Sequence, residues 1–159
     1  MTTIFYLEIT EKPLGTTLLP ESLTVSEIQI DQPQFNRFLY QLIGAPWQWT
    51  DKLKLSDEDW NSYVCRPELR TWVAYKEGAI AGYFELETQG KAIELKYFGL
   101  EQGFIGQGYG KALLSYAIAQ AWAIAGTERV WVHTCSLDHE NALNNYQRCG
   151  FKLYKTEQE

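Results

Sequence analysis

Four glycines fall within eight residues of this chain, Gly103, Gly106, Gly108 and Gly110, in the run Gly103-Phe104-Ile105-Gly106-Gln107-Gly108-Tyr109-Gly110-Lys111. Glycine loses more backbone freedom on ordering than any other residue, so such density implies a main chain that must pass close to another group. The run sits between the strand-like segment Lys91 to Leu100 and the stretch KALLSYAIAQAWAIAG, where Lys111, Ser115 and Gln120 are the only strongly polar positions before Gly126. That stretch predicts a mostly buried helix with Gly126 at its C-cap. Beyond it, Arg129 to Thr134 is a short β-branched and aromatic run. Strand, glycine turn, buried helix and buried strand together predict a βαβ unit with parallel strands.

The remaining segments arrange themselves around that unit. Thr3 to Thr10 reads as a strand, followed by the turn-prone Lys12-Pro13-Leu14-Gly15, and Leu23 to Ile30 reads as a second strand. Asp31 can cap a helix from Gln32 to Ile43, with Pro33 in its first turn, Phe35, Phe38, Leu39 and Leu42 at helical spacing, and Gly44 as its stop. Ala45 to Leu55 is a loop holding Trp47 and Trp49. Ser56 to Asp59 resembles a capping box and opens a short helix to Cys65, ended by Pro67. Thr71 to Tyr75, Ala79 to Thr88 and Lys91 to Leu100 are joined by turns short enough for an antiparallel meander. Asn141 to Arg148 predicts a helix closed by Gly150, and Phe151 to Lys155 a last strand.

A chain of 159 residues without repeats or linkers is read as one domain, 1–159, with 1–22 as an extra N-terminal strand and loop. Twenty acidic against fourteen basic residues leave a net charge of −6, which argues against a nucleic-acid partner held by its phosphates. Three cysteines without paired spacing suit a reducing compartment, and no apolar run approaches the roughly 20 residues of a membrane span, so no membrane partner and a cytoplasmic location are expected.

A helix start presents unpaired N–H groups and a partial positive charge, so the glycine loop can receive a phosphate or diphosphate without cationic side chains. Two familiar phosphate loops do not match. A Walker A loop needs glycine where Ile105 stands and Ser or Thr where Ala112 stands, and a dinucleotide GxGxxG beginning at Gly106 needs glycine where Lys111 stands. The alternative is a glycine-rich turn with no ligand.

The residues resemble the GNAT superfamily of acetyl-CoA-dependent N-acetyltransferases. Its cofactor loop, Gln/Arg-x-x-Gly-x-Gly/Ala, is matched by Ile105-Gly106-Gln107-Gly108-Tyr109-Gly110, with the first position departing from the pattern. Its last helix, Asn-x-x-Ala-x-x-x-Tyr-x-x-x-Gly-Phe, is matched by Ala142, Tyr146, Gly150 and Phe151, with His139 where Asn is usual. The likeness covers Leu23 to Tyr154. It implies an α+β fold with a central mixed, mostly antiparallel sheet, splayed at the cofactor site and flanked by about four helices. It also implies two strands after the last helix, yet only nine residues follow Gly150. The strand Thr3 to Thr10, or a partner subunit in a homodimer, is expected to fill the open position.

The resemblance further implies that amides from Ile105, Gly106, Gln107, Gly108, Tyr109, Gly110 and Lys111 hold the diphosphate of acetyl-CoA, with His139 beside it. Backbone N–H groups of Phe98, Gly99 and Leu100 would bond the thioester carbonyl, Gly99 being compatible with a bulge. Tyr146 would protonate the departing sulfur and Glu94 would take the proton of a primary amine on a small molecule or peptide, with Glu85, Glu87 and His133 as substitutes. Trp47, Trp49, Glu85 and His133 are candidates for the acceptor site, although the tryptophans also suit ordinary core packing. No metal is expected, because His133, Cys135, Asp138 and His139 lack a converging ligand pattern. A second reading from another class is a binding module that keeps the acyl-CoA cradle with little catalysis.

Overall fold

The structure is a computed structural model describing residues 2–15 and 18–159. Residues 1, 16 and 17 of the expected N-terminal strand and loop lie outside the described residues. In chain order the elements are β1 (Thr3–Ile9), β2 (Thr24–Glu27), α1 (Pro33–Gly44), α2 (Asp57–Val64), β3 (Leu69–Lys76), β4 (Ala79–Gln89), β5 (Ala92–Leu100), α3 (Tyr109–Ala123), β6 (Arg129–Cys135), α4 (Ala142–Arg148) and β7 (Lys152–Gln158). The strands form one open sheet in the order β2-β3-β4-β5-β6-β1-β7. Every neighbouring pair is antiparallel except β5 and β6, which run parallel across the α3 crossover.

The sheet position between β6 and β7 is taken by β1, as expected for Thr3 to Thr10, and β1 pairs with β6 on one side and β7 on the other. Strand alternation explains its fit. Leu7 and Ile9 point into the core with Val130, Val132 and Phe151 beneath α3 and α4, while Tyr6 and Glu8 face away. The opposite face of β3, β4 and β5 is covered by α1 and α2 through Leu39, Ile43, Val73, Tyr83, Tyr40 and Trp60.

Three local expectations change. Phe35, Leu39 and Leu42 of α1 pack toward the core as expected, but Phe38 is half exposed, and Asn36, Tyr40 and Ile43 join the buried face. The polar Asn36 is accepted in the core because its amide donates to the Thr71 hydroxyl at 2.9 Å. Helix α3 ends at Ala123, ahead of Gly126, and the Thr127 hydroxyl lies 3.0 Å from the Ala121 carbonyl and 2.8 Å from that of Ile124, serving orphan acceptors of the last turn. The bulge in β5 falls at Lys96, not at Gly99: Glu85 faces Tyr97 and Leu86 faces Leu95, leaving Lys96 as the extra residue. Gly99 serves close approach instead, since a Cβ there would sit 2.6 Å from the Ile43 Cγ2.

Candidate active site

β5 and β6 pair only where Ala92 to Glu94 meet Arg129 to Trp131. Beyond that point their facing edges line a cavity of about 1020 Å³, whose wall also includes the glycine loop, the Trp47–Trp49 turn and α4. The bulge contributes to this shape. Ile93 and Leu95 pack under α3, as do Phe98 and Leu100, but Tyr97 packs with α1 and α2, so the alternation of β5 reverses at Lys96. Lys96 and Tyr97 therefore both reach the cavity wall.

The glycine loop presents backbone to that cavity. Gly106 and Gly108 have φ of +86° and +85°, and a Cβ at either would meet nothing within 4 Å, so the main chain faces open space. Gly108 is the N-cap of α3, no side chain caps the helix, and its first turn carries no acidic residue. Unpaired N–H groups and the positive end of a 15-residue helix are thus directed at an open cradle, which suits a diphosphate. The loop is braced from outside: Glu101 accepts from the Gly103 amide at 2.9 Å and the Gln107 side chain donates to the Gly103 carbonyl at 3.0 Å.

Of the residues expected at the donor site, Phe98, Gly99, Leu100, Ile105, Gly106, Gly108, Gly110, Lys111, His139 and Tyr146 line the cavity. The side chains of Gln107 and Tyr109 do not. Tyr109 turns away, with its ring near Phe104 and under the Lys76 ammonium. Asn145 and Arg148 line the wall without having been anticipated. Helical spacing offered a signal for Asn145, which lies three residues after Ala142.

Tyr146 is buried, edge-on to Phe98 and Phe151, and borders the cavity. Desolvation, followed by the charge of Asp138, pushes its phenol well above the ordinary range, so it keeps its proton at neutral pH. Asp138 also fixes the far wall. Its carboxylate accepts from the Trp49 indole at 3.1 Å, from the Cys135 amide at 3.1 Å and from the Thr134 hydroxyl. Trp47 meets His139 edge-on, with ring centroids 5.2 Å apart. Both tryptophans border the cavity, so the α1–α2 connection and the β6–α4 turn are tied together across it.

The acidic residues are arranged differently from expectation. Glu94 is 2% exposed and is no part of the cavity wall, whereas His133 and Lys96 are. Glu94 Oε1 accepts from Gln89 at 2.9 Å and lies 3.6 Å from Lys96 Nζ, and Glu94 Oε2 lies 3.4 Å from His133 Nδ1. Glu87 is tied to Arg66 at 3.0 Å and lies 3.7 Å from Lys96. Glu85, expected at the acceptor site, is fully buried and does not border the cavity; Tyr63 donates to it at 2.6 Å. Burial raises its carboxyl from 4.5 to about 7 despite that hydrogen bond. Among the described residues no group of three His, Cys, Asp or Glu side chains could hold a metal ion. No helix among them is long and apolar enough to cross a membrane.

Residues 36–151 match the family model described as the acetyltransferase (GNAT) family. Among solved structures, a GCN5-related N-acetyltransferase from Sphaerobacter thermophilus is similar with a TM-score of 0.72 and 17% identity, over 98% of this chain and 49% of that one. An aminoglycoside acetyltransferase from an uncultured soil metagenomic sample gives 0.66 and 18% identity, over 81% and 88%. A Bacillus subtilis acetyltransferase in complex with CoA gives 0.60 and 19% identity, over 82% and 76%. At such identities the likeness is one of fold, and the chain spans about half the length of the Sphaerobacter protein. Among curated proteins no sequence matches the chain.

Proposed function

The chain belongs to the GNAT acetyltransferase family, and from that membership we propose that it moves an acetyl group from acetyl-CoA to a primary amine of a small molecule or peptide, directly, while both are bound. The observation that carries this reading is the meeting, in one cavity, of an uncapped helix start, the parted edges of two parallel strands and the ring of Tyr146. The Bacillus subtilis neighbour in complex with CoA supports a CoA thioester as donor. Acetyl-CoA brings the activated acetyl group.

The chain's own residues do the rest. Amides from Gly106 to Lys111 hold the diphosphate, with Lys111 and Arg148 as nearby cations on the wall. Main-chain N–H groups along Phe98 to Leu100, on the β5 edge that β6 leaves unpaired, bond the thioester carbonyl and the negative charge that grows on its oxygen. Tyr146, protonated because it is buried, gives its proton to the departing sulfur. An alkylamine is mostly protonated at pH 7, and the Glu94–His133 pair takes up that proton. Trp47 and Trp49 wall the acceptor and restrict water.

Calorimetric titration with acetyl-CoA, followed by free-thiol release against a panel of amines, tests the proposal. Binding together with amine-dependent thiol release supports it. Binding with no productive amine favours an acyl-CoA-binding module, and absence of binding removes both.

A further inference from the structure

Resting on acetyl transfer to an amine, we propose that the acceptor's proton goes to Nε2 of His133, and that Glu94, Gln89 and Trp131 are positioning residues that act through that ring. A carboxylate on β5 is the simpler base on paper, but the folded chain seals Glu94 away from the cavity. His133 stands in the way. Its side chain is 45% exposed, borders the cavity, and turns Nδ1 toward Glu94 Oε2 at 3.4 Å.

That carboxylate oxygen is buried and has no hydrogen-bond partner. An unpaired buried acceptor is costly, and an imidazole that carries its proton on Nδ1 supplies what it lacks while leaving the Nε2 lone pair toward the cavity. The other oxygen is already committed. Glu94 Oε1 accepts from Gln89 Nε2, and Gln89 Oε1 in turn accepts from the Trp131 indole at 3.1 Å. The Trp131 ring lies 6.0 Å from the His133 ring and that of Tyr6 lies 5.8 Å from it, so neighbours on β6 and β1 restrain the imidazole. Other charges near the pair are Lys96, 3.6 Å from Oε1, Glu87, which Arg66 and Lys96 share, and, behind the Tyr6 ring, Lys155 and Glu157. Hence Oε2 is the free end of the network, and the imidazole is the group it faces.

The transfer balances as follows. The ammonium of the acceptor loses one proton to Nε2, leaving a neutral amine and an imidazolium held against Glu94. The amine lone pair forms the new N–C bond at the thioester carbonyl, the C–S bond breaks, and the thiolate takes the phenolic proton of Tyr146. The surplus proton on the acylated nitrogen returns to the Tyr146 oxygen, and His133 releases its proton to solvent, one per turnover.

The tests use the full chain. His133→Gln should lower kcat/KM by about 100-fold or more, leave acetyl-CoA affinity unchanged by calorimetry, and abolish the acid limb of the pH–rate profile. His133→Ala should regain rate with added imidazole. Glu94→Met, similar in length but without an acceptor, should lower kcat while leaving both KM values in place. In the unloaded protein, ¹⁵N NMR should find the neutral His133 ring protonated at Nδ1, and that preference should vanish in Glu94→Met. With two histidines in the chain the assignment is direct. Wild-type rate in His133→Gln, a retained acid limb or no imidazole rescue overturns the proposal and leaves acetyl transfer standing. If wild type releases no thiol with any amine, acetyl transfer fails, and with it the role of His133 as base; the tautomer then reports only on the pair itself.

Discussion

Replacing Glu85 by Gln should change how stability depends on pH more than it changes activity. The side chain is 0% exposed, accepts a hydrogen bond from Tyr63, and has a second oxygen with no partner. Burial raises its carboxyl from 4.5 to about 7, against the opposing effects of the Tyr63 hydrogen bond and the charges of Lys96 and Lys52. Because the folded state binds this proton more tightly than the unfolded state, the favourable contribution is complete below about pH 4.5 and is lost as pH rises to about 7. Over that span, at about 1.4 kcal/mol for each tenfold change in proton binding, the loss is about 3 kcal/mol. In a protein of this size that corresponds to a fall in Tm of about 6–12 °C. Gln stays neutral throughout and its amide oxygen can still accept from Tyr63. Urea unfolding of wild type and Glu85→Gln at half-unit steps from pH 4.5 to 8 measures the difference directly. The wild-type curve should fall relative to the variant by about 3 kcal/mol and level off above pH 7. Parallel curves, or a variant that loses more stability than wild type as pH rises, would refute the reasoning.

Other outcomes follow from the same geometry. Tyr146→Phe should lower turnover about 100-fold with acetyl-CoA affinity unchanged, and an unaltered rate would remove this residue from the chemistry. Gly108→Val places a β-branched side chain at φ +85° and points its Cβ into the open cradle; the acetyl-CoA Kd measured by calorimetry should rise about tenfold or more, equivalent to about 1.4 kcal/mol. Thr127→Val removes the hydroxyl that serves the Ala121 and Ile124 carbonyls and should cost about 1 kcal/mol in chemical denaturation without altering acetyl-CoA binding.

The elements with strong local signals were legible in the sequence. Gly106 to Lys111 could be placed between a strand and a helix because glycine density, a strand-like run and an apolar stretch are all local properties, and Ser56 caps α2 through the Asp59 amide as its spacing suggested. What depended on partners distant in sequence was harder to read. Phe35, Leu39 and Leu42 pack as their spacing predicts, but hydrophobicity ranks Phe38 above Asn36, and it takes a polar partner on another strand, the Thr71 hydroxyl, to make Asn36 a core residue. The bulge at Lys96 shows in the register against β4, where it reverses which β5 side chains face α1 and α3. Glu94 fell on the expected strand, but its burial behind His133 comes from the side-by-side placement of β5 and β6, which are joined through α3. The inward alternation of Leu7 and Ile9 accounts for β1 taking the place between β6 and β7.

The central claim is that main-chain amides at the start of α3 grip the diphosphate of coenzyme A. A crystal structure with bound CoA tests it most directly. The account predicts diphosphate oxygens within hydrogen-bonding distance of amides between Gly106 and Lys111, with the sulfur directed between β5 and β6 toward Tyr146. A diphosphate bound elsewhere, or a loop whose amides are taken up by the protein's own side chains, would contradict it.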